Sequence, residues 1–367
     1  MLVGLVVNPG ASRDVRRLTS LARTVDAVEQ ANAVARILCG LAATGVGRVL
    51  YMPEPTHVVE RARELLAVTR GAPARLPDTV PVRLPGAGEA RDAAGTARSA
   101  AEMGAAGAAA VLTIGGDGTN RAVATGWPDA VFVPLPGGTN NAFALRLDPT
   151  AAGQAAGLYA AEPAAFAGDV RRRPYLRAEA PGGSTLALVD VALVRGGWVG
   201  AHAIWEPEAL AEAVVARADP TVPGLAGVAG AAHPVRDGDG AGVHVVFGPG
   251  GRPILGQIGP GQVVELRVTA TTVFGPGDTV TLPAHRAADG GPLTLAFDGE
   301  REVVLRPGQR ATVRLVTPGV RVLDGAAVLV RAARMGRLVP PAMAGDRAET
   351  VDSGDLADRT GPAATRR

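Results

Sequence analysis

Over the first 150 positions, apolar residues fall in short dense runs separated by longer stretches of mixed character. The runs at 2–7, 48–53, 79–84, 109–114 and 130–135 carry almost no charge and read as buried strands. Between them, segments at 18–43, 57–70, 87–104 and 119–126 are Ala-rich or amphipathic, and Val58, Val59, Ala62, Leu65 and Leu66 hold the spacing of one helix face. Strand and helix alternating in this way predict an α/β fold with a doubly wound parallel sheet. A further helix is expected at 150–161.

From about residue 172 the pattern changes to strands broken by Gly/Pro turns. Strands are expected at 185–194, 243–247, 263–272, 279–282, 293–297, 302–305 and 311–316. Gly275-Pro276-Gly277-Asp278 and Asp289-Gly290-Gly291-Pro292 supply turn signals. One helix is expected in this series, Glu206–Ala218, with Pro207 in its first turn and Leu210, Ala213, Val214 and Arg217 on one face. The resulting division is an α/β domain at 1–150, a β-rich C-terminal domain at 151–344, and a polar tail at 345–367 expected to be disordered.

The chemistry sits where strands end. The run Ala109–Ile114 passes directly into Gly115-Gly116-Asp117-Gly118-Thr119. Glycines there allow a tight turn and bring bare N–H groups to a ligand, and the next helix offers the positive end of its dipole. Thr119 is expected to cap that helix. A carboxylate among phosphate-binding donors makes sense if Asp117 deprotonates a hydroxyl or holds Mg²⁺ against phosphates. An ordinary Gly-rich strand-to-helix turn is the alternative. A second loop, Gly137-Gly138-Thr139-Asn140-Asn141, follows the strand at 130–135, and Thr139 is again a candidate cap. A third, Asn8-Pro9-Gly10, follows the first strand. Three such loops at carboxyl ends of strands would line one crevice.

Together these motifs resemble the NAD kinase and diacylglycerol kinase superfamily, and most closely its ATP-NAD kinase-like proteins related to acetoin-catabolism protein X. Arg13-Asp14, Arg16 through Thr19, and Leu50 through Pro53 look like that branch, and the likeness runs through Phe297-Asp298-Gly299-Glu300 to about residue 340. The resemblance implies a kinase with its site between an α/β and a β-rich domain, and Asp117 as catalytic acid/base. It also raises Asp298 from a simple hairpin residue to a site residue. Some positions depart from the NAD kinase pattern. The Asn-Glu pair of typical NAD kinases is replaced by the acid Asp190 alone, and Val222–Gly230 stands in place of a Thr/Ser-rich motif, closed by His233. Asp298-Gly299-Glu300 looks more like the lipid-kinase side.

Composition adds exclusions. The 367 residues are 47% apolar but only 3% aromatic. The single cysteine, Cys39, rules out an internal disulfide and reads as a structural thiol. No apolar segment reaches the roughly 18 residues of a membrane helix, and Met1-Leu2-Val3 opens a strand, so a cytoplasmic protein without a membrane partner is expected. All 37 basic residues are Arg, which excludes a P-loop lysine. A net charge of +2 gives no basic surface for nucleic acid. Arg171-Arg172-Arg173 is expected on a solvated strand edge. His57, His202, His233, His244 and His285 have no metal-cage spacing, and Trp198 and Trp205 read as core or interface residues.

The combined expectation is a homo-oligomeric, ATP-dependent kinase using Mg²⁺ to phosphorylate the ribose 2′-hydroxyl of NAD. Asp117 is its catalytic residue and possible metal ligand. Asn8, Gly115, Gly116, Gly118, Thr119, Gly137, Gly138, Thr139, Asn140 and Asn141 bind nucleotide, and Asp190, His233 and Asp298 bind the acceptor. A lipid kinase and a catalytically inactive nucleotide-binding regulator are the alternatives.

Overall fold

A computed structural model describes residues 1–12, 20–21, 26–84, 89–196, 206–283 and 292–339. Trp198, Trp205, His202, His285, the stretch 13–19 and the tail at 345–367 lie outside these residues.

The first half runs β1 (Leu2–Val7), α1 (Ala27–Ala43), β2 (Arg48–Tyr51), α2 (Val58–Val68), β3 (Asp78–Pro81), α3 (Ala93–Ala105), β4 (Val111–Gly115), α4 (Asp117–Gly126), β5 (Val131–Pro136) and α5 (Pro149–Ala161). The second runs β6 (Val170–Ala180), β7 (Gly183–Ala187), β8 (Asp190–Arg195), β9 (Leu210–Val215), α6 (Leu225–Ala232), β10 (Gly242–Gly259) and β11 (Gln262–Phe274). It closes with β12 (Val280–Pro283), β13 (Leu293–Phe297), β14 (Glu300–Leu305), β15 (Arg310–Leu323) and α7 (Gly325–Arg334).

Among the described residues there are two sheets. The first has the order β3-β2-β1-β4-β5-β15-β6-β7, with β12 also on β15. Strands β3 through β5 are parallel, and β15 joins β5 in parallel before its other edge pairs antiparallel with β6. Alternate residues of each parallel strand serve opposite faces. Val3, Leu5 and Val7 join Leu112, Ile114, Val131, Val133 and Leu135 under α1, α2, α5 and α7. Val6, Val111 and Phe132 face α3 and α4. This is the doubly wound arrangement, since burial on both faces demands strands as uniformly apolar as these. The second sheet, β11-β10-β9-β8-β13-β14, is antiparallel. Helix α6 covers one face, and the other packs on β6, β12 and β15.

Three local expectations fail here. The segment expected as a helix at 206–218 forms a 3-10 turn, Pro207–Ala209, and then strand β9. Its Ala and Glu content favours helix, but β9 lies between β8 and β10, where ladder pairing and burial of Val214 and Val215 override propensity. Glu212 meets His244 on the neighbouring strand at 2.7 Å. Arg173 is not on a solvated edge: its side chain is 14% exposed and stacks on the Phe143 ring at 5.4 Å. Finally, no helix follows Thr139 within the bends of 138–144.

Helices α1 and α5 cross at paired glycines. A Cβ on Gly40 would stand 2.2 Å from the Thr150 carbonyl oxygen, and one on Gly153 would stand 2.3 Å from that of Ile37. Both obstacles are backbone and cannot rotate away. Gly153→Ala should therefore destabilise the fold by about 2 kcal/mol, despite alanine's better helix propensity. Urea unfolding checks this, and unchanged stability would show that the helices can separate without loss.

Candidate active site

The loops after β4 and β5 touch backbone to backbone. A Cβ on Gly137 would lie 2.6 Å from the Gly115 nitrogen, and one on Gly138 would lie 2.5 Å from the Gly116 Cα, so neither position admits a side chain. Gly116 and Gly118 differ. A Cβ there would meet Gly138 at 3.5 Å and Glu300 at 3.6 Å, ordinary contact distances. No protein atom demands glycine at 116 or 118, and both line a cleft of about 880 Å³ between the two sheets.

Helices α1, α3, α5 and α7 begin with an Asp whose carboxylate accepts a first-turn N–H. Helix α4 instead begins after Gly116 with no side-chain cap, so its N-terminal N–H groups are presented to the cleft. Thr119 does not cap it. That residue lies inside the helix, and its Oγ1 accepts from Asn8 Nδ2 at 2.8 Å, tying the first loop to α4. Asn141 is equally structural. Held at φ 52°, it accepts from Gly138 N at 2.7 Å and donates to Gly138 O at 2.7 Å. Thr139 Oγ1 and Asn140 Oδ1 are buried without a hydrogen-bond partner among the described residues, and both residues line the cleft. A polar atom left so is costly unless a ligand or water meets it.

Asp117, the first residue of α4, is fixed by the opposite loop. Ala142 N donates to Oδ2 at 3.0 Å and Phe143 N to Oδ1 at 2.9 Å. Across the cleft, Asp298 occupies the β13–β14 turn at φ 49°. Its carboxylate accepts from Leu188 N, Val189 N and Asp190 N at 3.1, 2.8 and 3.3 Å. Asp190 Oδ1 accepts from Gly299 N at 3.3 Å, so this acid helps close the turn. Arg121 Nε stands 3.7 Å from Asp298 Oδ2, its Nη2 meets Glu302, and its guanidinium lies 5.9 Å from the Phe297 ring centre. Burial drives the Asp298 carboxyl up to about 7; Arg121 pulls it down and the Asp117 carboxylate pushes it up. Burial works against the Arg121 charge, but Asp298 and Glu302 hold its pKa above the usual value.

A model of the diacylglycerol kinase catalytic domain matches residues 72–165, which contain both glycine loops. A model of the acetoin catabolism protein X C-terminal domain matches residues 175–318. Acetoin catabolism protein X of Cupriavidus necator is 33% identical over 355 residues, covering 94% of this chain and 96% of that protein. The chain belongs to the acetoin catabolism protein X family. Similar solved structures include a Bacillus anthracis diacylglycerol kinase, with TM-score 0.41, 15% identity, and 89% and 97% of the two chains covered. Yeast NADH kinase complexed with NADH gives TM-score 0.43 and 11% identity over 95% and 89%.

Within this family member, the cleft gathers Asn8, Gly116, Asp117, Gly118, Thr119, Gly138, Thr139, Asn140, Asn141, Asp190 and Asp298 along its wall. Gly115 and Gly137 lie just behind it as the backbone contact described above. His233 is elsewhere: it ends α6 exposed and does not line the cleft. The position of α6 is instead marked by Gly224, whose Cβ would stand 2.8 Å from Asn140 Nδ2. Among the charged lining residues, Arg121 was not named from the sequence, and Glu300 only as the end of the Asp298-Gly299-Glu300 motif. Arg121 had a readable signal, a cation one helical turn after Asp117 in a chain without lysine.

The raised Asp298 value has a stability consequence. The folded protein keeps a proton that the unfolded chain releases from a group of ordinary value 3.8, so this contribution is complete below about pH 4 and is lost as pH rises through about 7. Urea midpoints of the wild type should thus fall more steeply over that window than those of Asp298→Asn. Parallel curves would show that Asp298 does not titrate there.

Proposed function

We propose that this protein transfers the terminal phosphoryl group of ATP to an alcohol, with the ribose 2′-hydroxyl of NAD as acceptor. The observation that carries this reading is a carboxylate, Asp117, oriented by two backbone N–H groups at the uncapped N-terminus of α4. The N–H groups of Gly116, Asp117 and Gly118 bind phosphate oxygens, and the open positions at Gly116 and Gly118 let a phosphate approach the backbone. Thr139 Oγ1 and Asn140 Oδ1 take ligand hydroxyls or amides. Asp117 accepts the proton of the attacking hydroxyl.

Among the described residues, no group of three or more His, Cys, Asp or Glu side chains forms a metal cage. That suits Mg²⁺, which is characteristically held by one or two carboxylates together with substrate phosphates. Asp117 and Glu300 are the carboxylates that would meet it, and it would supply neutralisation of the triphosphate charge. A lipid alcohol is the second acceptor to test, favoured by the apolar flank of Met52, Pro55, Leu210, Leu225 and Ile258 in the same cleft.

Purified protein incubated with ATP, Mg²⁺ and NAD should yield NADP, and EDTA should abolish the product. Phosphorylation of vesicles containing diacylglycerol or a sphingoid alcohol, with none of NAD, would replace the acceptor. Metal-independent ATP binding without product from either would leave a regulator instead of an enzyme. In the active case, Asp117→Asn should lower turnover by about 10²-fold or more while nucleotide binding survives. Near-normal turnover in that variant would remove Asp117 from the mechanism.

A further inference from the structure

Behind the loop that holds Asp117 lie two mostly buried arginines that do not line the cleft. Arg217, just after β9, donates from Nη1 to the Ala142 carbonyl oxygen at 3.3 Å. Arg173, on β6, donates from Nη1 to the Phe143 carbonyl oxygen at 2.7 Å. Asp237 lies between them, 3.0 Å from Arg173 Nε and 3.6 Å from Arg217 Nε, and Asp219 accepts from Arg217 Nη2 at 2.7 Å. The side chains of Arg173 and Arg217 are 14% and 17% exposed. The geometry has a direct consequence at one peptide unit. The carbonyl of Ala142 and the N–H of Phe143 belong to the same amide, whose oxygen receives Arg217 and whose N–H points at Asp117 Oδ1. A cation on the oxygen of an amide polarises its N–H, and hydrogen bonds in such a chain strengthen one another.

We infer that Arg217, supported by Arg173, is a positioning residue for Asp117, acting through the Ala142–Phe143 peptide. Arg217 sets the direction and strength of the N–H that orients the carboxylate, while Arg173 anchors the following carbonyl so that the loop cannot swing away. Both arginines lie beyond residue 170, on β6 and just after β9, so the β-rich part shapes the acid of the glycine loop without touching a ligand. The inference rests on the proposed phosphotransfer for its kinetic effect, and on geometry alone for its structural effect.

The test therefore has two readouts. In the first, Arg217→Gln lowers kcat by about 10-fold or more, the scale at which outer-shell partners act, while KM for ATP changes little. Arg217→Lys restores most of the loss, and Arg217→Gln has no further effect in an Asp117→Asn background. The second readout needs no turnover. The protein has six phenylalanines, so ¹⁵N-phenylalanine labelling gives a sparse spectrum in which Phe143 is assigned by its disappearance in Phe143→Leu. Its amide proton moves upfield in Arg217→Gln and in Asp117→Asn. Asp237→Asn, which keeps both arginines but removes the carboxylate they share, shifts it the same way and serves where Arg217→Gln does not fold. An unmoved Phe143 amide in whichever variant folds, or kinetic losses that simply add to those of Asp117→Asn, overturns the inference. Absence of any turnover, with the amide shifts intact, overturns the phosphotransfer reading and leaves the contact standing.

Discussion

The carboxylate of Asp117 receiving the N–H groups of Ala142 and Phe143 is the interaction on which the cleft depends. It joins the first turn of α4 to the loop after β5, and so fixes the distance between two glycine segments that have no other side chain to separate them. With the loops locked at this spacing, Gly137 and Gly138 must be glycine because backbone fills the place of a Cβ. The same lock turns the Asp117 carboxylate across to the other loop, and the N-terminus of α4 has no side-chain cap. That backbone terminus is what the proposed phosphotransfer would use to meet an anion. Asp117 also stands in the first turn of α4, at the positive end of the helix dipole.

The second sheet holds that arrangement from the other side. Asp298 gathers the N–H groups of 188–190, so the β13–β14 turn is fastened to the chain entering β8. Arg121 then links this turn to α4, because its guanidinium meets Asp298 and Glu302 while its own helix carries Asp117. A buried carboxylate with a raised pKa is costly in isolation, and breaking such a pair leaves one charge stranded. The Arg121 contact is what makes the β-rich part and the glycine loop a single electrostatic unit rather than two surfaces facing each other.

What could be read from the sequence is what local forces decide. The strand at 109–114 and the turn after it announce themselves through an uncharged run followed by glycines, and the second loop repeats that signal. The residues of those loops that line the cleft were legible for the same reason. The roles of Thr119 and Thr139 were not. A threonine after Gly-Gly reads as a cap, yet Thr119 is taken by Asn8 from a loop more than a hundred positions away, and no helix follows Thr139. The helix expected at 206–218 failed because its neighbours β8 and β10 impose a strand that its alanines would not choose. Arg173 read as a solvated edge residue because nothing near it in sequence reveals that Phe143 and Asp237 will enclose it. In each case a long-range partner overrode a local preference.

The absence of lysine takes on meaning at this point. A planar guanidinium can satisfy two or three partners at fixed angles, where an ammonium offers a point charge. Arg121 spans two carboxylates and an aromatic ring, Arg217 a carbonyl and two carboxylates, and Arg173 a carbonyl, a carboxylate and a ring. A lysine in these places would keep the charge but not the fixed fork of donors. Among the described residues, the arginines that line the cleft, Arg91 and Arg121, already face Glu89 and the Asp298–Glu302 pair. A polyanion entering the cleft would meet cations engaged elsewhere and several acids, Asp117, Asp190, Asp298 and Glu300 among them. Under the proposed phosphotransfer, the backbone at Gly116 and Gly118, open to the cleft, would then matter more to a phosphate than the guanidinium groups of the described lining.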